Sequence, residues 1–105
     1  MIKSIHSTDF EVTEALRSHI NGHLAKIQHQ HDKITRVDVF MKKDKFKFVA
    51  EFKVSVPNTE DVVVSCSSED MYHSITDATN KVLIKLKKLK EKQKGKLHQK
   101  IALAE

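Results

Sequence analysis

One cysteine, Cys66, is all that the 105-residue chain contains. A lone thiol cannot close an internal disulfide, so nothing points to an oxidising compartment, and the cytoplasm is the expected location. Glycine occurs twice and proline once. That leaves no flexible linker, no internal repeat and no second domain. No glycine-rich phosphate loop is present and no Ser/His/Asp pattern appears, so an enzyme is not expected. Tryptophan is absent, beside one tyrosine and five phenylalanines, which is too little for a surface that stacks many bases. No apolar run approaches the ~20 residues of a membrane span. The opening MIKSIHSTDF also lacks the apolar stretch of a secretory signal.

What the chain has in excess is lysine, in one place. Residues 81–100, KVLIKLKKLKEKQKGKLHQK, hold nine lysines against one acidic residue, Glu91. The whole chain has 19 Lys+Arg and 14 Asp+Glu, for a net charge of +5. The remainder therefore carries more acid than base. A slightly acidic body with a strongly basic C-terminal segment points to a polyanionic partner, either nucleic acid or an anionic membrane surface.

Hydrophobic periodicity gives the order β-α-β-β-β-α. Residues 2–7 form a short strand of weak alternation. A helix begins at about Thr13, a suitable N-cap, with Glu14 in its first turn and an apolar stripe of Leu16, Ile20, Leu24 and Ile27. Val37, Val39 and Met41 alternate with Arg36, Asp38, Phe40 and Lys42, and a turn is expected around residues 43–45. Phe46, Phe48, Ala50, Phe52, Val54 and Val56 then share one face, expected to be the core. Pro57 and Asn58 mark a turn, and VVVSCS is a third β-rich run. Ser67 with Asp70 fits a Ser-x-x-Asp cap for a second helix that runs to about Gly95. The expectation is an α+β domain over residues 1–95: a four-stranded sheet with both helices on one face, similar to double-stranded-RNA-binding domains. Residues 96–105 are expected to be a short flexible tail.

On a helical wheel the basic segment has an order of its own. Stepping about 100° per residue, Leu86 and Leu89 fall near Val82 and make a buried seam. Lys81, Lys85, Lys88, Lys92 and Lys96 form a ridge on one flank, and Lys87, Lys90 and Lys94 a second on the other. Like charges four residues apart cost roughly 0.2–0.5 kcal/mol per pair in an isolated helix. Only Glu91 and an Asp77–Lys81 pair relieve this. An external polyanion accounts for such ridges better than solubility does. Leu83 and Ile84 are too small an apolar remainder for a membrane-surface helix, and the stripe stops too early for a coiled coil.

Other candidates are weaker. Asp44–Phe52, DKFKFVAEF, matches the RNP1 strand of RNA-recognition motifs poorly, because lysines stand at its glycine positions. Its phenylalanines are expected in the core. His19 and His23 sit four apart, and His29 and His31 two apart, without a carboxylate or cysteine set beside them. No metal is expected, and these histidines are read as surface residues. Cys66 is expected to be a small buried apolar residue.

EVTEALRSHINGHLAKI and SEDMYHSITDATNKVLIKLKKLKEK, in this element order, resemble the ribosome hibernation promoting factor / ribosome-associated inhibitor family over about residues 1–95. The resemblance implies a bacterial stress or stationary-phase protein without catalysis, cofactor or small-molecule substrate. It would bind rRNA of the small ribosomal subunit in the channel used by mRNA and the A- and P-site tRNAs, and so inhibit translation. A duplex-RNA or general nucleic-acid module without ribosome preference is the alternative. By position, the resemblance assigns rRNA contacts to Lys26, Lys81 and Lys88, with Arg17, Lys85 and Lys92 added. His23, which stands where the family often has arginine, is counted among the rRNA contacts by that position, and Ile84 stands where another arginine is usual. Ile84 lies almost opposite Val82 and is expected to be exposed. The extra C-terminal domain of the long family form is not expected, and a monomer is expected away from the ribosome.

Overall fold

A computed structural model describes residues 1–8 and 11–104, with side chains described through Glu91. The elements are β1 (Ile2–Thr8), α1 (Glu14–Gln30), β2 (Arg36–Asp44), β3 (Lys47–Ser55), β4 (Val62–Ser68) and α2 (Met71–Ala104). The strands lie in the order β1-β2-β3-β4. The β1–α1–β2 crossover makes β1 and β2 parallel, and the short connections that follow make the other pairs antiparallel.

Alternation along the strands decides the faces. Val39 lies opposite Phe52 and Phe52 opposite Val64, while Met41, Ala50 and Cys66 form the next row. All six are buried, as Cys66 was expected to be. Helix α1 adds Leu16, Ile20, Leu24 and Ile27 to this core. Helix α2 adds Met71, Ile75, Ala78, Val82 and Leu86, with Leu89 half-buried against it. Both apolar stripes thus cover the same sheet face, which gives the expected α+β architecture. The opposite face is mostly polar, with His6 stacked on Phe40 and two ion pairs among the described residues. The Arg36 Nε donates to both carboxylate oxygens of Asp38, at 3.0 and 2.9 Å, and Lys53 reaches Asp61 at 3.7 Å. The hydrogen bond from Arg36 holds the Asp38 carboxyl below its ordinary range.

Thr13 caps α1 as its sequence predicts, its Oγ1 accepting from the Leu16 amide at 3.2 Å. The start of α2 differs from expectation. Strand β4 continues through Ser68, so Ser67 is still in the ladder and cannot cap. Asp70 takes that role: its carboxylate accepts from the Tyr72 amide at 3.1 Å and its carbonyl from the Ser74 amide. The Ser74 hydroxyl, fully buried, donates to the Phe48 carbonyl at 2.7 Å and fastens the first turn of α2 to β3.

Two further expectations are corrected. The β2–β3 turn is Lys45–Phe46, one position later than expected, because β2 runs to Asp44 and pairs it with Lys47. Lys45 has φ 57°, which bends the chain there. Phe46 therefore lies outside the ladder and is 89% exposed instead of joining the core. Helix α2 also continues past Gly95 to Ala104. One glycine costs a helix roughly 1 kcal/mol, which strong helix formers on either side offset.

Candidate nucleic-acid interface

The two helices lie side by side, and their contacts fix how the basic ridges are turned. His19 of α1 packs edge-on to Tyr72 of α2, with ring centroids 5.0 Å apart, and His19 and His23 both reach the Thr76 hydroxyl at 3.4 Å. The flank of α2 that carries Tyr72 and Thr76 therefore meets α1. The other flank meets β4, where the Lys85 ammonium donates to the Val63 carbonyl at 3.3 Å.

On that β4 side Lys81, Lys85 and Lys88 stand in one exposed row, spaced four and three residues. None of them forms an ion pair among the described residues. The expected Asp77–Lys81 pair is not formed. Asp77 turns one helical turn the other way, to the His73 ring at 3.2 Å. Lys81 is left with its charge uncompensated, which sharpens the case for an external anion. The side chain of Lys92, the next member of the row, lies outside the described residues, as do those of Lys94 and Lys96.

Helix α1 divides its basic residues. Measured from buried Ile20 at about 100° per residue, Lys26 falls on the α2 side and Arg17 nearly opposite it. Both are exposed. Lys26 lies near the seam between the helices, close enough that its charge depresses the His23 pKa. Its companions on α2 are Lys87 and Lys90, which share the seam flank and are also exposed. The sequence marked these two as a second ridge without assigning them a contact. Only the packing of α1 against that flank reveals the association.

Among the described residues, His23 is the predicted contact residue that the fold withdraws from the surface, at 8% exposure. His31, at the end of α1, is likewise buried, with Nδ1 accepting from the Lys33 amide at 3.2 Å. Thr76 explains the state of His23. Its single hydroxyl proton goes to the Tyr72 carbonyl at 2.9 Å, so it accepts from the histidine rings, which must present Nε2–H. His23 Nδ1 is then the bare nitrogen, buried and without a partner among the described residues. Protonating it would create a buried donor with no acceptor. Burial first, then His19 and Lys26, lower its pKa below the ordinary 6.5. His23 thus sits between the helices with its charged form disfavoured, where the other expected contact residues with described side chains are exposed. Among the described residues no group of three or more His, Cys, Asp or Glu is placed to hold a metal, and no helix is long and apolar enough to cross a membrane.

Comparison with known proteins fits this arrangement. Residues 4–94 match the family described as sigma 54 modulation protein / S30EA ribosomal protein. The ribosome hibernation promoting factor of Pseudomonas putida is 38% identical over 94 residues, covering 90% of this chain and 91% of that one. The protein of the same name from Escherichia coli K12 is 31% identical over 91 residues, covering 87% and 95%. In structure, a ribosomal subunit interface protein from Coxiella burnetii superposes with a TM-score of 0.81 at 23% identity, covering 87% of this chain and 99% of that one. The N-terminal domain of Thermus thermophilus Protein Y gives 0.75 at 24% identity, covering 84% and 97%. At these identities the two superpositions speak to the fold alone.

Proposed function

Because the chain belongs to the sigma 54 modulation protein / S30EA ribosomal protein family, we propose that it is a ribosome hibernation factor that binds rRNA of the small subunit and inhibits translation by occupancy. The relatives' name supports the ribosome as partner. The observation that carries the surface is the exposed row of Lys81, Lys85 and Lys88 beside β4, which forms no ion pair among the described residues. Three ammonium groups held on a helix, without ion-pair partners among the described residues, offer a preorganised site for phosphates, and release of condensed cations would drive the association. Contacts of this kind read backbone and shape and not base sequence.

In this reading Lys26, Lys87 and Lys90 supply a second basic surface along the seam, and Arg17 lies off to its far side. The site is the channel that mRNA and the A- and P-site tRNAs use, so binding excludes them and no chemistry is performed. The protein acts in the cytoplasm under stress or in stationary phase and is a monomer away from the ribosome. Co-sedimentation with purified small subunits at low salt tests the assignment, and tRNA should compete. Absence from the small-subunit pellet would sink it. Equal affinity for an arbitrary RNA duplex would favour a nucleic-acid module without ribosome preference.

A further inference from the structure

The β2–β3 hairpin ends in the run Lys42-Lys43-Asp44-Lys45-Phe46-Lys47, four lysines and one acid around a single aromatic ring. Phe46 is 89% exposed and packs on no other ring among the described residues. All four lysines are exposed, and none forms an ion pair among the described residues. Asp44 lies opposite Lys47 in the ladder and does not pair with it. Lys43 sits over the Phe48 ring at 5.7 Å, and Phe48 packs against the core. Lys45 and Lys47 are the cations on either side of the open ring. Neither turn position is filled as a turn alone would ask. A φ of 57° favours glycine or asparagine, and solvent favours a polar side chain, yet the chain places lysine and phenylalanine there.

The tip stands apart from the lysine row of α2. The first turn of α2 is fastened beside it, through Ser74 and the Phe48 carbonyl, whereas Lys85 bonds to Val63 about 16 Å further along the helix. An open ring between cations fits a partner whose flat apolar faces are joined by anions. Single-stranded RNA has that pattern, with a phosphate on either side of each base. In a continuous duplex the neighbouring bases cover those faces. One ring on a two-residue turn is too small an anchor for a membrane surface, which takes a broad apolar face. The tip also carries the same sign of charge as the surface of α2 already read as meeting RNA.

We infer that the β2–β3 tip is a second RNA contact, in which Phe46 stacks on an unpaired base and Lys45 and Lys47 meet the phosphates on either side of it. The inference rests on the RNA-binding reading above and deepens it. The tip gives the chain a preference for RNA with unpaired bases, which the backbone contacts of α2 do not supply.

The chain has no tryptophan, so Phe46→Trp places a single indole reporter at the tip. The full-length variant is titrated with a short unstructured RNA strand, a fully paired RNA duplex and phosphatidylglycerol vesicles. The strand should quench the indole, and the duplex should bind without quenching it. Phe46→Ser and Phe46→Leu should each weaken binding to the strand by about tenfold, the order found for losing one base–aromatic stack. Binding to the duplex should not change. Phe46 is exposed, so unchanged thermal melts confirm that the fold survives. Lys45→Gln with Lys47→Gln should flatten the salt slope for the strand by about 1.4, at about 0.7 per phosphate. Binding of the strand without quenching would overturn the inference, as would wild-type affinity of either Phe46 variant for it. A blue shift on vesicles with no quenching by RNA would overturn it too and assign the tip to a membrane. Wild-type co-sedimentation with small subunits is scored separately. Normal pelleting with no Phe46 effect on the strand removes the tip alone. Failed pelleting with clear quenching by the strand removes the ribosomal assignment alone.

Discussion

Neutralising the β4-side row, by Lys81→Gln, Lys85→Gln and Lys88→Gln together, should move stability and binding in different directions. On the stability side, the row contains two like-charge contacts, Lys81–Lys85 and Lys85–Lys88, at helical spacings of four and three. Each costs roughly 0.2–0.5 kcal/mol, so removing both gains up to about 1 kcal/mol. Loss of the exposed Lys85–Val63 hydrogen bond offsets part of that gain. Glutamine matches lysine closely in helix propensity. The net change is expected within about 1 kcal/mol, a shift of a few degrees in Tm for a domain of this size.

Binding should fall steeply. Each phosphate neutralised contributes about 0.7–0.9 to the slope of log K against log salt, so three lost contacts flatten it by about 2 to 3. Between 50 and 200 mM salt the wild-type protein should then lose about 20- to 40-fold more affinity than the variant. The assay is fluorescence anisotropy of the labelled protein with purified small subunits at four or five salt concentrations. A parallel slope for the variant would refute the reasoning, because the row would then touch no phosphate. A loss of more than about 10 °C in Tm would refute the claim that these lysines are free of structural duty.

The remaining predictions concern the scaffold. Phe52→Ala removes the largest fully buried side chain, packed in register between Val39 and Val64, and should cost about 3–5 kcal/mol in urea unfolding. Asp70→Ala should cost about 1 kcal/mol by loss of the α2 cap, whereas Ser67→Ala, in the ladder and exposed, should cost under about 0.5 kcal/mol. The lowered His23 pKa means that the unfolded chain binds more protons than the folded one, so stability should rise with pH. Its contribution is full above 6.5 and is lost as pH falls from there through the folded value. His23→Gln should flatten urea-midpoint profiles over that window. The lowered Asp38 carboxyl acts in a separate window, its contribution present above 3.8 and lost as pH falls below.

Much of this fold is legible because burial and periodicity coincide. The α1 stripe, the Thr13 cap and the Val82–Leu86–Leu89 seam follow from spacing alone, and Ile84 is open to solvent as its wheel position requires. Phe46 fails for a local reason. Period-two alternation assigns a face to each strand residue but does not mark where the ladder ends, and one step of turn placement moves a phenylalanine from core to solvent. Ser67 fails in the same way, since a Ser-x-x-Asp pattern fits a cap whether or not the strand before it has ended. The continuation of α2 past Gly95 reflects cooperativity, in which a single weak residue does not stop a long run. His23 and the divided basic residues of α1 depend on which neighbour lies against each flank, which no single-helix wheel contains.

That division bears on the shape of the partner. Helix α2 rests on the sheet through its seam, with β4 along one flank and α1 along the other. Lys81, Lys85 and Lys88 stand on the β4 side; Lys26, Lys87 and Lys90 stand on the α1 side. A straight RNA duplex laid on this surface meets one row at a time, whereas a channel with walls on both sides meets both. Duplex and channel therefore differ in how the two rows combine. On small subunits, neutralising either row should flatten the salt slope, and neutralising both should flatten it by the sum, because the rows share no counter-charge among the described residues. On an isolated duplex the second neutralisation should add little. Equal behaviour on the two RNAs would mean that the rows do not discriminate between them, and that any preference for the ribosome must come from elsewhere on the surface.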